Sequence, residues 1–224
     1  MVLTAGLVVG LPDASANDIA EFDTVFATDF VQAGYGGVRG GDGTATLTVT
    51  GVTGTVTRAL LYWHGPTNSE DPTVNAEITF EGESVTGENI GLSNDNCWGF
   101  ANSQAYRADV TSLVDGDGTY SVSELIKIDD AEDVVADING LSLIVFFDDG
   151  DDSNNRDVVI FDGNDSNITN PYDADGWNVT LSGIVYESGT AAIDLHVADG
   201  QSFPDAAIRS ERHGNGPGGS QFRG

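Results

Sequence analysis

Five aspartates fall within ten residues of this chain. In the stretch "FFDDGDDSNNRDVVIFDGND" (residues 146–165), Asp148, Asp149, Asp151, Asp152 and Asp157 surround a single arginine, Arg156. Closely spaced carboxylates can hold a hard cation. Calcium takes roughly six to eight oxygens from Asp, Asn and backbone carbonyls within a short span. Asp149, Asp151, Ser153 and Asn155 alternate as the ligands of an EF-hand loop do, but Asn154 stands where that loop needs glycine and Ile160 where it needs glutamate. An EF-hand is therefore excluded. Two readings stay open: a looser calcium site built from the five aspartates, or a solvated turn suited to a salty medium.

Arg156 is a scarce cation among these acids. A planar guanidinium can bind a carboxylate through two hydrogen bonds and keep its charge when partly buried. A structural ion pair is expected, with Asp148 or Asp162 as partner, pinning the loop to a sheet. Arg107, in "AYRADVT", invites the same expectation. Just downstream, Asn164-Asp-Ser and Asn167-Ile-Thr are glycosylation triplets and place candidate glycan sites at Asn164 and Asn167. Trp98, in "DNCWGF", is the candidate aromatic platform for a weakly bound sugar ring.

Catalytic patterns are missing. There is no G-x-S-x-G elbow, no H-E-x-x-H helix and no Cys/His pair, and the three histidines are scattered. With 36 acidic residues some carboxylate pair will always lie close, so a glycosidase-like pair is weak evidence. The reading is non-enzymatic.

The elements that must position these residues are short and β-like. Thr44–Thr50 alternates strictly; Arg58–Gly65, Ala76–Phe80, Tyr120–Ile128, Leu141–Phe147, Asp157–Phe161 and Trp177–Tyr186 continue the series. Ala191–Val197 alternates as well, which predicts Ile193, Leu195 and Val197 inward, with Asp194 and His196 outward. Only Ser103–Val114 suggests a helical turn. Many short strands separated by turn residues, Gly reaching 29, predict an all-β antiparallel sandwich, jelly-roll-like, with long Asp/Gly-rich loops. Residues 17–208 read as one domain and 209–224 as a disordered tail. The apolar run Val2–Leu11, followed by Ala14-Ser15-Ala16, reads as the back half of an export signal over residues 1–16. It is too short to span a bilayer.

Charge bounds the environment. Against 36 acidic residues stand eight basic ones, Lys127 and seven arginines, for a net charge of −28. In dilute salt that charge repels itself; at molar salt the Debye length falls to about 3 Å and the repulsion is screened. An Asp-rich, Lys-poor chain reads as halophilic. Nucleic-acid partners are excluded, since phosphate binding needs a basic face. The single cysteine, Cys97, cannot form an internal disulfide.

Several segments together carry a resemblance. "ALLYWHGPT", "SQAYRADVTSLV", "GTYSVSEL", "GLSLIVFFDDG", "NNRDVVIFDGND" and "GWNVTLSGI", spanning residues 58–186, resemble exported bacterial and archaeal cell-surface domains of uncharacterised function. The Asp-rich loop is most similar to haloarchaeal versions. The resemblance implies an extracellular β-sandwich with no established catalysis, and cell-surface proteins or glycans as partners. The functional expectation is a structural or adhesive module, calcium being the one candidate cofactor. The alternatives are a carbohydrate-binding module and a glycoside hydrolase.

Overall fold

The structure is a computed structural model and describes residues 19–38, 41–94, 99–125, 138–166, 180–184, 188, 190–198, 211–213 and 220–223. In chain order the strands are β1 Ala20–Gly36, β2 Ala45–Val49, β3 Thr55–Thr67, β4 Glu77–Phe80, β5 Glu83–Thr86, β6 Glu88–Ser93, β7 Asn102–Asp109, β8 Gly118–Ser123, β9 Gly140–Asp148, β10 Arg156–Asp162, β11 Thr180–Ile184, β12 Glu211–His213 and β13 Ser220–Arg223. Among the described residues the only helical element is a 3-10 turn at Thr111–Leu113. The chain is all-β and its two main sheets are antiparallel. One is ordered β10-β1-β9-β3-β7-β6, the other β2-β8-β4-β5. A small third sheet has the order β11-β13-β12.

Period-two alternation builds the main core. In β2, Ala45, Leu47 and Val49 point inward while Thr46 and Thr48 face water. In β9, Leu141, Leu143 and Val145 face the second sheet. Trp63 stacks on Tyr106 with centroids 5.6 Å apart, and Phe80 on Tyr120 at 5.8 Å. The Trp63 indole N–H donates to the carbonyl of Asn75 at 2.8 Å, which satisfies a polar atom that burial would otherwise penalise. Gly87 joins β5 to β6 across the edge of the sandwich. A Cβ there would overlap the Trp63 ring, so the connection passes only as glycine.

β3 reads as one apolar run because both of its faces are covered. Ala59, Leu61 and Trp63 enter the main core, while Leu60 joins Phe146 and Ile160 in a second cluster on the opposite face. A bend in β1 supplies the cover. Asp29–Gly36 pairs with β9, whereas Ala20–Thr28 pairs with β10. Register shifts interrupt the latter pairing, and Ala27 sits in the left-handed region at φ 47°. The β1–β10 ribbon therefore folds back over the outer face of the sheet. Phe22 and Val25 from β1, and Val158 from β10, pack onto Phe30, Tyr62 and Ile144.

Three expectations change. Ser103–Val110 is mostly strand: β7 covers Asn102–Asp109 and only the 3-10 turn after it is helical. Its apolar residues Tyr106 and Ala108 are spaced by two, as in a strand, and fill the core. Residues 191–197 form no strand, and Ile193, Leu195 and Val197 are 51–58% exposed. His196, expected outward, is the residue that meets the sheet. The tail is not wholly irregular. β12 and β13 pair with each other around a Gly-rich stretch, and β13 pairs with β11. Strands of three or four residues are too short for alternation to announce them.

Candidate functional site

The acidic loop closes one end of the sandwich, where β9 leaves the sheet and β10 begins. Its carboxylates are engaged locally. Asp148 Oδ1 accepts from the Gly150 N–H at 2.9 Å, and Asp149 Oδ1 from the Asp151 N–H at 2.9 Å. Asp151 Oδ1 accepts from the Ser153 N–H at 3.0 Å and the Ser153 hydroxyl at 2.5 Å, and these bonds hold its pKa below the ordinary 3.8. Such i to i+2 bonds are Asx turns, which shape the loop from within. Outward links tie the loop to its neighbours. The Thr53 hydroxyl donates to Asp149 Oδ2 at 3.0 Å, and the Ala27 N–H donates to Asp157 Oδ1 at 3.0 Å. The Asn155 side-chain amide donates to the Ala27 carbonyl at 3.0 Å. Asp152 is exposed. Among the described residues, no group of three or more His, Cys, Asp or Glu side chains comes together in a way that could hold a metal. The five aspartates are thus neighbours in sequence whose oxygens do not converge.

Arg156 does not make the expected ion pair. It is exposed and donates to the Asn154 carbonyl at 3.4 Å, and none of the ion pairs among the described residues includes it. Asp162, named above as a candidate partner, lies six residues further along β10, about 20 Å at strand rise.

Arg107 takes Asp162 instead. Its guanidinium, 10% exposed, is paired with Asp162 and with Glu88, the latter at 2.6 Å. It also lies 3.3 Å from the centre of the Phe22 ring. Arg58 stands 5.4 Å from the same ring and is paired with Asp23. One phenyl ring thus meets two cations that are held by carboxylates of the ribbon and the sheet. The Tyr62 hydroxyl donates to Asp162 Oδ2 at 3.2 Å. Burial, and then the Asp162 charge, push the Tyr62 phenol above its ordinary range, so it stays a donor. Burial opposes the Arg107 charge, but hydrogen bonding to Asp162 and the nearby acids outweigh it and raise the pKa. Asp23 is held low, first by the Arg58 hydrogen bond and then by the Thr24 N–H. Phe22, Asp23, Arg58 and Glu88 escaped the sequence reading. Their one signal was the rarity of arginine, since the strands that join them are far apart in the chain.

At the opposite end, a polar network latches residues 68–76 onto β6 and β7. The Gln104 side-chain amide donates to the Ser69 carbonyl at 2.8 Å and accepts from Asn89 at 2.6 Å and Tyr106 at 3.0 Å. The Asn102 amide donates to the same Ser69 carbonyl at 3.0 Å. Burial pushes the Tyr106 phenol up to about 12. These side chains are spent on the fold.

Asn164 is not available to a glycan. It is 7% exposed, and the nitrogen a sugar would attach to donates to the Ser103 carbonyl at 2.9 Å and the Gly91 carbonyl at 3.2 Å. A triplet shows the attachment chemistry but not whether the amide faces water. Trp63 is a core residue at 1% exposure. Asn167, Trp98, Trp177, Lys127 and residues 1–16, read above as part of an export signal, lie outside the described residues.

His196 bridges the segment 190–198 to the outer face. Its Nδ1 lies 2.8 Å from the Ser142 hydroxyl and its Nε2 2.6 Å from Gln32 Oε1. Part of the side chain is exposed, yet enclosure of the ring lowers its pKa below 6.5, with Asp194 opposing. A group depressed in the folded state contributes stability above its unfolded value and loses it as pH falls. The segment should accordingly loosen below about pH 6.5. Limited proteolysis within 190–198 is expected to accelerate on acidification, and His196→Gln should flatten that profile.

Comparison with known protein families, curated proteins and solved structures found no match.

Proposed function

We propose that this chain is a non-enzymatic β-sandwich module of a halophile, secreted or held at the cell surface, with a structural or adhesive role. The observation that carries this reading is the disposition of charge. The net charge is −28, while Arg58 and Arg107 are drawn under the ribbon and into ion pairs. The remaining surface is strongly anionic and tolerable only where salt screens it. The acidic loop fits the same role. Its aspartates are pre-shaped by their own backbone and turn towards solvent, and calcium bound there would rigidify it. The resemblance across residues 58–186 supports an extracellular setting.

Unfolding on dilution tests the halophilic part. The protein should be stable in molar KCl and lose its fold as salt falls towards about 0.1 M, where the Debye length reaches about 10 Å. Full stability at low salt would remove the basis for the reading. Calcium and chelator arms at constant salt separate the two roles of the loop. A calcium-dependent rise of several degrees would make it a cation site. Equal curves would leave its aspartates to the solvent. Protease shaving of intact cells tests surface placement: a chain that resists shaving until the cells are lysed would contradict it.

A further inference from the structure

Asp29 is a buried acid outside the loop. It is 7% exposed, and its Oδ2 has no hydrogen-bond partner among the described residues. By alternation it shares the inward face of β1 with Val31 and Ala33, which pack against the main core. Across the sheet it is registered with Phe147, and Phe147 in turn with Val56. It stands two residues beyond the Ala27 bend, where Asn155 and Asp157, at the C-terminal end of the acidic loop, dock. On that bend Asn155 donates its amide to Ala27, leaving its own Oδ1 buried and without a partner as well. Two orphaned oxygens, one of them on an acid, thus belong to the segments that meet at the bend.

An uncompensated charge in such a place is costly. We propose that Asp29 is the anionic ligand of a bound alkali-metal cation, sodium or potassium, seated beneath the acidic end of the sandwich. One carboxylate balances one positive charge, and Asn155 Oδ1 and backbone carbonyls are neutral oxygens of the kind such ions accept. Calcium fits this position less well, because it draws on several carboxylates and no such group converges among the described residues. The assignment adds a specific ion to a surface whose general need is screening.

The test uses the full chain at matched ionic strength in NaCl, KCl and choline chloride. Choline screens as the alkali ions do but is too large to sit against a buried carboxylate. The unfolding temperature is expected to be higher in NaCl or KCl than in choline chloride by at least about 2 °C. Asp29→Asn should abolish that difference, whereas Asp151→Asn should retain it. Equal temperatures in all three salts overturn the proposal, as does a difference that survives in Asp29→Asn. A calcium effect larger than either alkali effect, and lost in Asp29→Asn, overturns the monovalent assignment. A second readout needs no variant to fold: crystals soaked in rubidium or thallium(I) should show an anomalous peak beside Asp29 Oδ2. Featureless density there would count against the site.

Discussion

Arg107→Leu should destabilise the protein by about 3–5 kcal/mol, read as a shift of the denaturant midpoint at constant molar salt. The side chain is 10% exposed and Asp162 only 15%, so the substitution strands a carboxylate whose one remaining donor among the described residues is the Tyr62 hydroxyl. It also takes the guanidinium from the face of Phe22, where it lies 3.3 Å from the ring centre. Arg107→Lys should recover little, because an ammonium can neither span Glu88 and Asp162 nor stack as a plane. Adding Asp162→Asn to Arg107→Leu should restore a good part of the loss by removing the stranded charge. Recovery that fails in the double variant would mean the ring contact, and not the ion pair, dominates. Arg58 is the internal comparison. Its pair with Asp23 is more exposed, 25% and 43%, so solvent screens it and its removal should cost much less.

The second large effect is expected from Gly54→Ala, at about 3 kcal/mol. A Cβ at Gly54 would lie 2.5 Å from the Asp149 Cα and would overlap the Asp148 carbonyl. Both obstacles are backbone, which cannot rotate away as a side chain can. The acidic loop would have to move, breaking the Thr53–Asp149 hydrogen bond. Amide exchange should rise across 148–157 together with the stability loss. Gly36→Ala is the control. It meets open space, its φ lies outside the left-handed region, and it should stay within about 0.5 kcal/mol. Equal, small effects at both positions would show that the loop yields freely.

How much of this was legible in the sequence depended on whether a residue's neighbours were close along the chain. β2 was clear because its five residues alternate without interruption. β9 was clear because its apolar run fills both faces. β1, the longest strand at 17 residues, was not recognised. Its apolar residues change phase at the bend: Phe22 and Val25 serve the second cluster, Val31 and Ala33 the first. A period-two search sees no strand across that switch. The same limit applies to the sites. The acidic loop was conspicuous because its residues are consecutive, although its oxygens turned out to be separately engaged. The Arg107 cluster gathers Phe22, Tyr62, Glu88 and Asp162 from four strands, and no local pattern joins them. Asn164 and Ile193 show the remaining gap. The triplet chemistry and the alternating pattern are present there, but neither burial nor strand pairing follows from them, since both are set by the fold.

The bend in β1 has a consequence for the order in which the chain can fold. Both halves of that strand find their partners more than a hundred residues later, in β9 and β10. As the chain emerges, seventeen residues of β1, rich in aromatic and branched side chains, wait unpaired while β2 to β8 are made. Closing so long a loop is slow, and an idle strand of this kind invites pairing with another molecule.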